Sequence, residues 1–115
     1  MDECIFCKIV RKELPAQICY EDEKVMAFHD INPVAPVHIL VIPKVHIVSL
    51  NDVTPENAGV FGHMALVIRQ VSQEAGVAGS GYRVVINSGP DSGQIVHHLH
   101  AHVIGGRAMG MGIGG

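Results

Sequence analysis

Apolar residues recur along the chain at two spacings, and the spacings predict different elements. Ile5, Phe6, Ile9 and Val10 return at three- and four-residue steps, which predicts a short helix over residues 5–12, ended ahead of Pro15. Residues 18–21, 25–31 and 38–43 are short β-rich runs. Asp22-Glu23-Lys24 and the turn chemistry of Asn32-Pro33 and Ala35-Pro36 separate them, so they read as meandering antiparallel strands. Thr54-Pro55-Glu56 has the form of a helix start, with Thr54 as the cap and Pro55 in the first turn. Phe61, Met64, Ile68, Val71 and Ala75 then carry one long amphipathic helix to a stop at 76–79. Residues 82–87 and 96–104 predict two more strands, the second ending at Gly105-Gly106, with a polar Gly-rich loop over 88–93 between them. Strands, one long helix and then strands, without βαβ alternation, predict an α+β fold with an antiparallel sheet of about five strands and a single domain over residues 1–115.

Composition narrows this picture. Hydrophobic residues make up 48% of the chain, but there is no Trp and aromatics are only 4%, so the core must rest on Val, Ile, Leu and Met. Any apolar face left over is a candidate for subunit contact. The net charge of −3, with Lys and Arg scattered, argues against a nucleic-acid partner. The apolar runs are too short to span a bilayer and the acidic start Met1-Asp2-Glu3 is unlike a signal peptide, so a soluble, cytoplasmic protein is expected. Three cysteines cannot all pair internally; the Cys4-x-x-Cys7 spacing favours metal or redox use, and Cys19 reads as a small buried hydrophobe. The end, 109–115, is expected to be flexible by composition.

The chemistry concentrates in residues 97–104. If this run is a strand, His98, His100 and His102 share one face at steps of about 6.6 to 6.8 Å while Leu99, Ala101 and Val103 bury the other, and His97 belongs to that opposite face. A lone His in a strand is most often a satisfied or exposed residue; three on one face form a wall. Such imidazoles either ligate a metal or act as nucleophile and acid/base near neutral pH, and spacing leaves both open, including a zinc hydrolase with all three as ligands. The loop before them, Asn87 to Gln94, offers backbone N–H groups for an anion.

The segment His98-Leu99-His100-Ala101-His102-Val103-Ile104 resembles the His-φ-His-φ-His-φ-φ signature of the histidine-triad superfamily, where φ is apolar. The resemblance extends over about residues 2–109, through the Cys4 to Ile9 segment, 27–31, 36–46, Asn87 with Gly93-Gln94, and Gly105-Gly106-Arg107. It is nearest to the Hint branch, whose members hydrolyse purine nucleoside phosphoramidates. The resemblance implies an HIT-like fold, a homodimer and a purine nucleotide substrate. It places the nucleophile at His100, an α-phosphate or leaving-group contact at His102, and a further pocket histidine at His38. Asn87, Gly93 and Gln94 match the phosphate-side loop, Asp30 the residue that binds the ribose hydroxyls, and Phe6, Ile9, Phe28 and Ile31 the base slot. Catalysis then needs no cofactor. A structural zinc is implied on Cys4, Cys7, His46 and the first triad histidine, His98. Two departures stand out: Ile95 where the eukaryotic pattern has a serine, whose hydroxyl Ser92 could replace, and an end at 107–115 without the Trp that reaches the neighbouring subunit.

Overall fold

The computed structural model describes residues 4–110, so the acidic start and the end of the Gly-rich tail lie outside the described residues. Five strands form one antiparallel sheet: β1 (Ile18–Glu21), β2 (Val25–His29), β3 (Val37–Pro43), β4 (Tyr82–Val85) and β5 (Ala101–Gly105), in the spatial order β1-β2-β3-β5-β4. Helix α1 spans Ile5–Val10 and helix α2 spans Ala58–Glu74. The expected α+β architecture is therefore present, with helices on both faces.

Alternation along the strands sorts the side chains into two cores. On the α2 face, Met64, Val67 and Val71, three and four residues apart, pack on Ala27, Ile39, Val41, Ala101 and Val103. On the other face, Phe6 and Ile9 of α1 pack on Met26, Phe28, Leu40 and Ile42. Each such fully buried side chain stabilises the fold by roughly 1.5 to 3 kcal/mol. The parity that sends Phe28 and Leu40 to the α1 face sends His38 and His102 there too.

Several boundaries differ from expectation, each for a local reason. Helix α1 stops at Val10 rather than 12, because Lys12 adopts a left-handed backbone (φ 64°). The N–H groups of Lys12 and Glu13 then bond back to the carbonyls of Ile9 and Lys8, closing the end. Helix α2 starts at Ala58, not near Pro55: Thr54 opens a turn in which its own N–H donates to Asn57 Oδ1 and its carbonyl accepts from the amides of Asn57 and Ala58. The expected stop after α2 holds, with Gly76 at φ 79° and Val77 N–H bonding to the Ser72 carbonyl. Strand β2 ends at His29, because the Asp30 carboxylate accepts from the Asn32 N–H and turns the chain. Strand β3 begins one residue early, at Val37, and β4 ends at Val85 instead of 87. Strand β5 begins only at Ala101, five residues later than the apolar pattern suggested. Among the described residues no helix is long and apolar enough to cross a membrane.

Candidate functional site

The late start of β5 separates the three histidines. His98 and His100 precede the ladder, in a segment held by Leu99 N–H bonding to the Ile47 carbonyl at 2.6 Å and by the His98 ring. His98 is fully buried: its Nε2–H donates to the Pro43 carbonyl at 2.8 Å, which leaves Nδ1 as an acceptor turned toward Cys4 Sγ (3.3 Å) and Cys7 Sγ (3.6 Å). The expectation of one wall of three imidazoles is thus corrected. Face alternation survives, but His98 has both nitrogens engaged away from His100 and His102, so the triad is not a ligand set for one catalytic metal.

In its place stands His38. Leu40 pairs with His102 across β3 and β5, and His38 with Ile104, so His38 lies diagonal to His102 on the same face and their Nε2 and Nδ1 atoms are 2.9 Å apart. The hydrogen bonds assign the protons. Val34 N–H donates to His38 Nδ1 (3.2 Å), so neutral His38 carries its proton on Nε2 and donates to His102 Nδ1. His102 then holds its own proton on Nε2. His100 shows the opposite arrangement: its Nδ1–H donates to the His98 carbonyl at 2.6 Å, leaving an unprotonated Nε2. Burial lowers the proton affinity of His100; burial first, then the neighbouring His100 and His38, holds His102 down at about 4. Both are neutral at pH 7.

His100 and His102 open on a cavity of about 610 Å³ between α1, the end of β2 and the loop before His98. Of the residues singled out from sequence, Phe6, Ile9, Phe28, Asp30, Ile31, Asn87 and Gly93 line it. Phe6 stands edge-on to both Phe28 and His100, with centroids 5.5 and 5.2 Å apart. Ile31 is 90% exposed, which rules out a plain core role. Asp30 Oδ2 lies 3.4 Å from His38 Nε2. His38 itself is buried behind His102 rather than lining the space. His29, Leu14, Pro15 and Ala16 also line it and were not singled out; the exposed His29, next to Phe28 and Asp30, carried no periodic signal.

The Gly-rich loop differs from expectation. Gln94 does not line the cavity: its Oε1 accepts from Gly89 N–H, and its Nε2 donates to the carbonyls of Val48 and Val96. The amides of Ser92, Gly93 and Gln94 bond within the loop, to the carbonyls of Gly89, Pro90 and Gly89, so the Gly93 N–H is not free for an anion. The Ser92 hydroxyl donates to the Gly89 carbonyl and lies outside the cavity, so it does not replace the serine expected at position 95.

A second cluster adjoins the first. Cys4, Cys7, His46 and His98 bring four donor atoms within 4.8 Å of one another, with Cys7 Sγ 3.2 Å from His46 Nδ1. A tetrahedral zinc with Zn–S of about 2.3 Å and Zn–N of about 2.0 to 2.1 Å holds its S and N ligands about 3.5 Å apart, so the donor set fits. The acceptor state of His98 Nδ1, fixed by Pro43, fits as well. Burial and the adjacent Cys4 push the Cys7 thiol up, an unfavourable setting for a thiolate that a bound cation would reverse. Cys19, expected as a small buried hydrophobe, is only part-buried, with its thiol directed at the Ala27 carbonyl.

A family model described as the HIT domain matches residues 11–109. The purine nucleoside phosphoramidase of Escherichia coli is 44% identical over 109 residues, covering 95% of this chain and 92% of that one. A HIT family hydrolase from Clostridium thermocellum superposes with a TM-score of 0.96 at 45% identity, covering 98% of each chain. A zinc-bound histidine triad protein from Mycobacterium smegmatis superposes with a TM-score of 0.77 at 36% identity, covering 92% of this chain and 76% of that one.

Proposed function

The chain belongs to the HIT family, and from that membership and the geometry of the cavity we propose that it hydrolyses purine nucleoside phosphoramidates through a nucleotidyl intermediate on His100. The observation that carries the reading is the pair of opposite ring orientations: His100 sets Nδ1 on the His98 carbonyl, which leaves Nε2 without a proton, and His102 sets Nδ1 on His38 Nε2, which leaves its proton on Nε2, with ring centroids 5.0 Å apart. The first is a nucleophile and the second a donor to the group that departs.

The base lies in the slot formed by Phe6, Ile9, Phe28 and Ile31, and the Asp30 carboxylate accepts from the ribose hydroxyls. Substrate binding places negative charge beside His102, and the His38–His102 pair takes up a proton, with the Asp30 carboxylate near. His100 Nε2 attacks the α-phosphorus, the P–N bond breaks, and the nitrogen leaves with the proton from the pair. Water then displaces the imidazole, the new P–O bond forms and its proton returns to the pair. Asn87, which lines the cavity, would donate to the phosphate. No Lys or Arg lines the cavity among the described residues, which favours a singly charged phosphoramidate over a polyphosphate.

Cys4, Cys7, His46 and His98 would hold a structural zinc, which supplies a cross-link between α1 and the segment before β5 and takes no part in the chemistry. The exposed Tyr82 and Val84 of edge strand β4, together with Leu66 on α2, support a homodimer. The test is intact mass spectrometry of enzyme quenched during turnover of adenosine phosphoramidate, together with rates for His100→Ala. The expected result is a nucleoside monophosphate adduct on the peptide containing His100 and a loss of several orders of magnitude in kcat, on the order of 10⁴-fold or more. Near-normal turnover by His100→Ala would falsify the nucleophile assignment.

A further inference from the structure

The two most exposed large apolar side chains among the described residues, Ile31 at 90% and Ile95 at 88%, both line the one cavity described above. A scattered exposed isoleucine needs no explanation; two at the mouth of one site do. The base slot accounts for Ile31. Nothing in the reaction as derived so far uses Ile95.

Ile95 is not at the tip of a loose loop. The buried Gln94 side chain accepts from Gly89 N–H at 2.8 Å and donates to the carbonyls of Val48 at 2.7 Å and Val96 at 3.1 Å, so the backbone is pinned on both sides of Ile95. Val96, the next residue, packs against the α1-face core, which turns Ile95 outward. A braced chain thus displays an apolar side chain two residues beyond Gly93 and on the cavity that His100 and His102 share. On the phosphoramidase reading, base and ribose occupy the end near Phe28 and Asp30, and the α-phosphorus lies at His100. What remains for the Ile95 side is the departing group. Asp30 is the one carboxylate lining the cavity, and no Lys or Arg lines it among the described residues, so a charged leaving group finds no partner beside Ile95.

We propose that Ile95 is the leaving-group wall of this site and that its substrates carry an apolar aliphatic or aromatic amine on the α-phosphorus. This rests on the phosphoramidase reading above and names the class of amine within it. In each turnover the P–N bond breaks and the amine leaves with one proton from the His38–His102 pair while the nucleotidyl group passes to His100. Ile95 touches only the amine.

The experiment compares kcat/KM for the adenosine 5′-phosphoramidates of benzylamine and of 2-methoxyethylamine, amines of similar basicity, in the wild type and in Ile95→Ser. Size-exclusion chromatography accompanies both proteins. The wild type is expected to favour the benzylamine compound by about tenfold, the discrimination an apolar contact of this size supplies, and Ile95→Ser to bring the ratio to within about twofold of one. A wild-type ratio near one, or a ratio unchanged in Ile95→Ser, overturns the inference while leaving the phosphoramidase reading in place. A changed oligomeric state in Ile95→Ser also overturns it, since a second copy of the chain then covers the side chain. Failure of the wild type to turn over either compound overturns the phosphoramidase reading and this inference with it.

Discussion

Replacing His38 tests the proton assignment directly, because His38 is buried and does not itself line the cavity. In His38→Leu the apolar volume is roughly kept, while the donor 2.9 Å from His102 Nδ1 disappears and Val34 N–H loses its acceptor. One hydrogen bond of this kind contributes about 1 kcal/mol net, so its loss frees His102 to adopt the other tautomer or rotate, costing about fivefold in productive geometry. The upper bound is the whole contribution of general-acid catalysis, about 10² to 10⁴-fold. The loss in kcat for an adenosine phosphoramidate should therefore lie between about 5- and 100-fold, since His102 itself remains. The 4-nitrophenyl ester of AMP provides the contrast: nitrophenolate departs without a proton, so His38→Leu should barely slow it. His38→Gln offers an amide that can donate to His102 and accept from Val34, and should recover most of the lost rate. Equal losses on the amine and nitrophenyl substrates, or none on the amine, refute the reasoning.

Cys4→Ser should abolish zinc binding by elemental analysis and lower Tm by at least about 5 °C, roughly 1 kcal/mol for a chain of this size, while leaving residual turnover; a zinc-free wild type prepared without chelator counts against the site. Light scattering at micromolar concentration should give the mass of a dimer for the wild type and of a monomer for a Tyr82→Lys, Val84→Lys double variant, and a monomeric wild type ends that idea. The pH dependence follows from His100 and His102, which bind protons more weakly in the folded chain than the ordinary value of 6.5, His102 at about 4. The unfolded chain therefore takes up protons first as pH falls, so their contribution to stability is fully present above about 6.5 and is lost toward 4. Calorimetry should show Tm dropping between pH 7 and pH 5, and an unchanged or rising Tm contradicts the assigned environments.

Much of this was legible along the chain. The three- and four-residue spacing of Phe61, Met64, Ile68 and Val71 gave the long helix, the strand runs gave an antiparallel sheet, and the alternation of Leu99, Ala101 and Val103 gave the buried face. Alternation is a local property, set by the two-residue repeat of extended backbone, so it reads from sequence even where the strand does not form. The Cys4 and Cys7 spacing favoured metal or redox use, and the fold brings both cysteines beside His46 and His98, a set that could hold a metal.

What tertiary structure decided was partnership. The sequence placed His98, His100 and His102 together because they are close in the chain, yet His98 and His102 answer to neighbours from elsewhere, and only His100 is held locally, by the His98 carbonyl. His98 is taken by the Pro43 carbonyl and the cysteines of α1, and His102 by His38, 64 residues earlier. The Gly-rich loop fooled the reading in the same way, since composition shows that backbone amides are present but not that carbonyls of the same loop already accept from them. Which face a side chain takes is fixed by backbone geometry one residue at a time. Which proton it carries is fixed by the hydrogen bond that reaches it across the sheet, and strand order and register are long-range quantities that no local pattern encodes.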